Sequence, residues 1–292
     1  MREIFTVWSP KAEKSPVLDE RERAQRIRLL RAMIENSELN GQIETKDIIM
    51  ISCLHSRDWD VEAAFKRLTK FLKFREEFPD CVIHEHPKAY EHLLRKNMST
   101  MLENRDKNGR RIYLINVSKN GPENDLSIAN ALQIHNAWLE MVLYEPETIV
   151  NGVSIILDMK DVTWSFIRWF TSSMASMASK LAGIAALRHL SIHVINTNSA
   201  TATLANCVLP FTGQRIRNLI RVHYNLKTLH DELGRECLPS IYGGPETNIL
   251  DYKKLRDDLY MVFNKHPRRC FQRMKCEPEL IVRTILHDYR GR

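Results

Sequence analysis

The sequence predicts an α/β fold, with an N-terminal helical bundle followed by a mostly parallel sheet flanked by helices. Three observations predict it. The first eighty residues carry apolar side chains at three- and four-residue spacing on otherwise charged cylinders. From Arg111 onward, β-branched runs alternate with longer helical stretches, the pattern of crossover units on a parallel sheet. Only 10 Gly and 11 Pro occur in 292 residues, too few for an all-β architecture of tight turns.

The elements follow in chain order. Residues 1–18 read as a tail, and 19–80 as the helical domain. Its first helix runs from Asp19 to Glu35 with a stripe of Ala24, Ile27, Leu30 and Ile34. A second starts at Thr45 and runs through Leu54. The third takes Asp60 as its N-cap and repeats Val61, Ala64, Phe65, Leu68, Phe71 and Leu72 until Phe78-Pro79. Residues 81–250 read as the α/β domain. The turn Asp106–Gly109 leads into a strand at 111–117, and Ser127 to Tyr144 is helical. Gly152 to Asp158 is a second strand, Trp164 to Ala182 a long helix, and Leu190 to Asn196 a third strand. A short helix follows from Ser199 to Val208, then a strand near Arg221 and a helix at Leu226–Leu233. Residues 251–292 hold 11 Lys/Arg against 6 Asp/Glu and read as a basic C-terminal tail.

Charge is distributed unevenly. The net charge is +7, and from Val162 to His230 there is no Asp or Glu. That span carries Arg168, Lys180, Arg188, Arg215, Arg217, Arg221 and Lys227, so a surface built from it attracts anionic partners. A mostly buried segment would also lack acids. Nucleic acid needs basic residues interleaved with exposed aromatics, whereas the aromatics here fall on apolar stripes, so no nucleic-acid partner is expected. Six cysteines without a CxxC or regular framework read as reduced thiols. The first twenty residues hold no apolar run of signal-peptide length, and the expected location is the cytoplasm.

Enzyme signatures are missing. The sequence holds no GxSxG, GxGxxG or GxxxxGK[ST], so no backbone cradle for a pyrophosphate and no nucleophile elbow is encoded. His84-Glu-His86 is the one dense ligand-like cluster, and no third ligand stands near it, so no metal is expected. Asp158 and Asp161 close a strand without a partnered His or Lys motif and read as caps or turns. No catalytic residue and no cofactor are expected.

The helix from Trp164 spaces Ile167, Phe170, Met174, Met177 and Leu181 at intervals of three and four, among small Ser, Thr and Ala residues. Such a stripe packs as core. Flexible methionines beside small residues also suit a wall against an irregular guest. Val153, Ile155 and Leu157 share a strand face and supply an opposite wall. The helix at Ser199–Val208 is anchored by only Leu204 and Val208 and precedes Arg215 and Arg217, the make-up of an openable gate facing a membrane.

Several passages resemble the CRAL-TRIO lipid-binding family of tocopherol and retinaldehyde carriers. They are Asp58 to Phe65 and Lys73 to Pro79, then Glu145-Pro-Glu-Thr-Ile-Val-Asn-Gly-Val-Ser-Ile-Ile-Leu-Asp158, Ile192 to Asn196, Leu209-Pro-Phe211, and Leu238-Pro-Ser-Ile-Tyr-Gly-Gly244. The resemblance spans about Arg21 to Tyr252. It implies a closed apolar cavity under a movable gate helix. The implied walls are Val153, Ile155, Leu157, Trp164, Phe170, Met174, Leu181 and Ile192, with Leu204, Val208 and Phe211 on the gate side. It implies phosphoinositide contacts at Arg188, Arg215 and Arg217, to which Arg57 and Arg221 are added. The sequence departs from the family pattern at Cys53-Leu-His-Ser-Arg57, at Leu209 and at Ala185-Ala-Leu187. The expected function is an intracellular carrier that binds a retinoid, tocopherol or other lipid and exchanges it at anionic membranes. The alternative is a phosphoinositide-sensing adaptor without transfer activity.

Overall fold

A computed structural model describes residues 18–43, 45–120, 126–142, 145–169, 189–208 and 214–265. Three helices come first: α1 (Glu20–Glu35), α2 (Asp47–His55) and α3 (Val61–Glu77). Asp19 and Glu22 close a capping box on α1, and the Asp60 carboxylate accepts from the Ala63 N–H at the start of α3. Their apolar stripes meet in a core that includes Leu30, Ile34, Leu54, Leu68 and Leu72. That core also takes in Leu132 from further along the chain, so the bundle is seated on the α/β part rather than standing alone.

A short helix α4 (Glu91–Leu94) leads into strand β1 (Ser99–Arg105), which pairs antiparallel with β2 (Arg111–Asn116). The turn expected at Asp106–Gly109 joins them. The Asp106 carboxylate accepts from the Asn108 and Arg110 N–H groups, and Gly109 takes φ 75°. Strand β1 was absent from the sequence reading, for a physical reason. Its four buried residues are consecutive, the next two are exposed and Arg105 is partly buried, so no two-residue alternation marks it.

Next come α5 (Ile128–Val142), α6 (Pro146–Asn151), β3 (Val153–Asp158), α7 (Trp164–Trp169) and β4 (Leu190–Ile195). The helix expected to run from Trp164 to Ala182 is described only to Trp169; the remainder lies outside the described residues. Gly152 links α6 to β3 at φ 89°, where a Cβ would meet the His189 carbonyl oxygen at 2.0 Å, so the join requires glycine. The chain continues through α8 (Ser199–Val208), α9 (Gln214–Arg217), β5 (Ile220–Val222), α10 (Leu226–Leu233) and α11 (Tyr252–Lys265).

The sheet order is β1-β2-β3-β4-β5, with β2 to β5 parallel. Right-handed crossovers on a strand order that never reverses put the successive connections on one face. Contacts agree. On that face His135 of α5 meets Tyr113 of β2, and Phe166 of α7 packs with Leu157 and Val194. The other face is covered by α10 and the chain that leads from it to the start of α11, and α11 itself packs against the edge strand β1 and α5. On this second face His223, next to β5, meets Thr228 of α10, Tyr242 donates to Asp158, and Asn116 donates to the Tyr252 hydroxyl. Helix α11 falls in the segment read from sequence as a basic tail. Leu255, Leu259 and Phe263, at four-residue spacing, are buried in the main core, and the charges occupy its outer side.

Candidate ligand-binding face

Register assigns every strand residue to a face. Val153, Ile155 and Leu157 of β3 align with Leu190, Ile192 and Val194 of β4, and Ile192 and Val194 align with Ile220 and Val222 of β5. All eight belong to the crossover face, and all are apolar. The sequence reading named four of them: Val153, Ile155, Leu157 and Ile192. It missed Leu190 and Val194, which the two-residue rule would have found once Ile192 was assigned. Ile220 and Val222 lie on a strand too short to show a period.

Burial separates the two faces. On the far face Ser154, Ile156, Asp158, Ser191, His193 and Ile195 are all buried. On the crossover face Ile155, Leu157, Leu190, Val194, Ile220 and Val222 are only partly buried, although nothing polar interrupts them. Val153 is fully buried and Ile192 is 9% exposed, so the unsealed surface is greatest away from Val153. A continuous apolar sheet surface that is not fully packed is the local signature of a wall facing a guest.

Two groups border this wall. At one side Tyr113 is held by Ser99 at 3.0 Å and by His135 Nδ1 at 2.6 Å, with Asn120 Oδ1 3.1 Å from His135 Nε2. The asparagine oxygen only accepts, so Nε2 carries the hydrogen and Nδ1 accepts from the tyrosine. Burial holds the His135 ring down to about 4 and pushes the Tyr113 hydroxyl up, so both stay neutral. At the other side Met159, Val162 and Phe166 form a small cluster against Leu157 and Val194. Trp164, an expected wall residue at the start of α7, stands 56% exposed.

Helix α8, expected as the gate, starts from a fixed point. Asn198 and Thr201 exchange hydrogen bonds at 2.9 and 2.7 Å, and the Asn198 amide donates to the Val162 carbonyl at 3.3 Å. Leu204 and Val208 fall on this helix, and Arg215 on α9. Phe170, Met174, Met177, Leu181, Phe211 and Arg188 lie outside the described residues.

The remaining expected cations separate. Arg217 is exposed and donates to the Gln214 side chain at 2.8 Å. Arg221 aligns with His193, on the face away from the apolar wall, and lies 3.7 Å from Glu232. Arg57 follows α2 and is partly buried.

On the far face Ser191 Oγ and His193 Nε2 are 3.0 Å apart, the length of a catalytic pair, but at 2% and 1% exposure no substrate reaches them. Among the described residues no three His, Cys, Asp or Glu side chains gather as a metal site. His84 is 2.8 Å from the Pro79 carbonyl, and His86 accepts from the Lys88 N–H. A cleft of about 180 Å³ near Leu102, Pro239 and Leu250 adjoins α11 rather than the apolar wall, and is below the usual size of a small-molecule site. No helix among the described residues is long and apolar enough to cross a membrane.

Comparison with known proteins places this architecture. A solved structure, that of Sfh5, matches 85% of this chain and 98% of its own at a TM-score of 0.54 and 14% identity, a likeness of fold alone. Among curated proteins, the human alpha-tocopherol transfer protein-like protein is 27% identical over 227 residues, 76% of this chain. The chain spans 65% of that relative's length. Clavesin-1 of Pongo abelii is 25% identical over 294 residues, covering 91% of this chain and 82% of its own. The family model for the CRAL/TRIO domain matches residues 95–244, from just before β1 to the Gly243-Gly244 turn and so across the whole sheet. The chain belongs to the CRAL/TRIO domain family.

Proposed function

We propose that this chain is a carrier that holds one small hydrophobic ligand, a retinoid, tocopherol or other lipid, against the β3–β5 wall and exchanges it at anionic membranes. The observation that carries the reading is the unequal burial of the two sheet faces. One is fully buried; the other keeps an uninterrupted apolar surface that is only partly buried. Membership of the CRAL/TRIO family and a relative named for tocopherol transfer support it.

The energetics suit a carrier without a chemical step. Each methylene removed from water contributes about 0.8 kcal/mol, so a ten-carbon chain gains roughly 8 kcal/mol before association costs. Release requires a trigger of a few kcal/mol. Basic residues at an anionic leaflet gain about 1 kcal/mol apiece, and exposed Arg217 stands three residues before the wall strand β5.

Organic extraction of the purified chain, with identification of what is released, tests the carrier. Transfer of that ligand between phosphatidylserine-containing vesicles tests the exchange, and Arg217→Glu is expected to slow it several-fold. An empty protein that still binds phosphoinositide vesicles would replace the carrier with an adaptor; unchanged transfer by the variant would remove Arg217 from the docking surface.

A further inference from the structure

On the sealed face, directly behind the apolar wall, runs an unbroken line of polar side chains. Ser154 Oγ donates to Asp106 Oδ2 at 2.7 Å and meets Ser191 Oγ at 2.9 Å. Ser191 Oγ meets His193 Nε2 at 3.0 Å, and His193 Nδ1 meets His223 Nε2 at 2.9 Å. His223 Nδ1 meets the Thr228 hydroxyl at 3.0 Å, which also meets the Asn225 carbonyl at 3.0 Å. The two imidazoles stack at a centroid distance of 5.2 Å. The line joins the β1–β2 turn, β3, β4, the end of β5 and α10, and its serines and histidines are all buried.

The charged groups around it are few. Arg110 donates to Ser191 Oγ at 3.3 Å. Arg221 approaches both rings from β5, with Glu232 of α10 as its partner. Burial, with nearby Asp106 adding to it, pushes the Cys237 thiol after α10 up to about 11, so it stays neutral.

Counting hydrogens gives the line a property that no single contact shows. Six contacts lie between the Asp106 carboxylate and the Asn225 carbonyl, both of which only accept. Between those ends, three hydroxyls and two neutral rings bring one hydrogen each, one fewer than the contacts. The empty position cannot sit at the carboxylate, where a bare oxygen would face a full charge at 2.7 Å. It is least costly at the exposed Thr228–Asn225 end, where water can satisfy the carbonyl, and Ser191 then accepts from Arg110 and donates to Ser154. With the gap there, every hydrogen points toward Asp106, and both rings carry theirs on Nε2. One added hydrogen completes all six contacts. A second would set two hydrogens against each other.

We propose that Asp106 and the His193–His223 pair form a one-proton acceptor, whose rings are both Nε2–H tautomers when it is empty and share a single imidazolium when it is full. Burial of the rings holds His193 down to about 3 and His223 below its ordinary value, which puts filling on the acid side of an exposed histidine. Filling puts a hydrogen on His223 Nδ1 and turns the Thr228 hydroxyl from that nitrogen to the Asn225 carbonyl, at the start of α10. The claim stands whether or not a ligand occupies the face beyond.

Long-range ¹H–¹⁵N spectra of the full chain, labelled at histidine and recorded from pH 8 to pH 3, test it. Both rings are expected as Nε2–H at pH 7.5, moving together through one shared midpoint as the pH falls. Either ring found as Nδ1–H at neutral pH, or two separate midpoints, would overturn the proposal. Ser191→Ala keeps a small buried side chain while cutting the path from Asp106 to the rings. It is expected to lower the midpoint by about one pH unit, and an unmoved midpoint would remove Asp106 from the acceptor.

Discussion

Buried neutral imidazoles tie the stability of this fold to pH. The folded-state values of His193 and His223 lie below the ordinary value, with His193 near 3, whereas in the unfolded chain both rings ionise near 6.5. Depressed bases bind protons more readily when unfolded. Their contribution is therefore fully present above about pH 6.5 and is lost as the pH falls toward 3, at up to roughly 1.4 kcal/mol per pH unit for each ring. Urea titrations should give a lower midpoint at pH 5 than at pH 7.5 with an unchanged slope; equal midpoints would mean that the rings are not held neutral. Asp158 makes a second residue-scale point. Its Oδ1 accepts from Asn196 and the Lys160 N–H, and its Oδ2 from the Tyr242 hydroxyl at 2.7 Å. Tyr242→Phe leaves that buried oxygen without its donor and should cost about 1–3 kcal/mol, read by equilibrium denaturation.

At the scale of elements, the helices with caps and single apolar stripes were legible, because local chemistry and tertiary burial agree there. Asp19 with Glu22 and Asp60 with Ala63 start α1 and α3 where the sequence places them. The parallel strands were legible too, as β-branched runs between helical stretches. Elements whose identity depends on distant partners were not. Strand β1 carries no alternation, and α11 is so rich in Lys, Arg and Asp that three buried residues in fourteen look like incidental apolar positions. The stability of α11 is tertiary, so Leu259→Ala, at a position with no exposure, should cost about 2–5 kcal/mol. Thermal unfolding checks this; a shift within error would mean that α11 is not part of the cooperative unit. The candidate wall was half legible. Period two marks Ile155 and Leu157, but the extension to Ile220 and Val222 depends on strand pairing, and the line from Asp106 to Thr228 converges from segments more than a hundred residues apart.

At the scale of the whole molecule, the two faces of one sheet divide the labour. The far face is buried under α10 and the chain leading to α11 and is joined by buried polar contacts, whereas the crossover face stays apolar and incompletely packed. The N-terminal bundle adds to the same body through Leu132 of α5. The most direct test of a lipid-holding wall is native mass spectrometry of the purified full chain, beside an Ile155→Trp variant with unchanged thermal unfolding. Ile155 is partly buried on the wall, so the larger ring takes the space assigned to the guest. The prediction is one hydrophobic small molecule per wild-type chain and at least a ten-fold lower occupancy in the variant. A wild-type chain that stays empty after incubation with mixed-lipid vesicles, or a variant that binds as well as the wild type, would contradict the account.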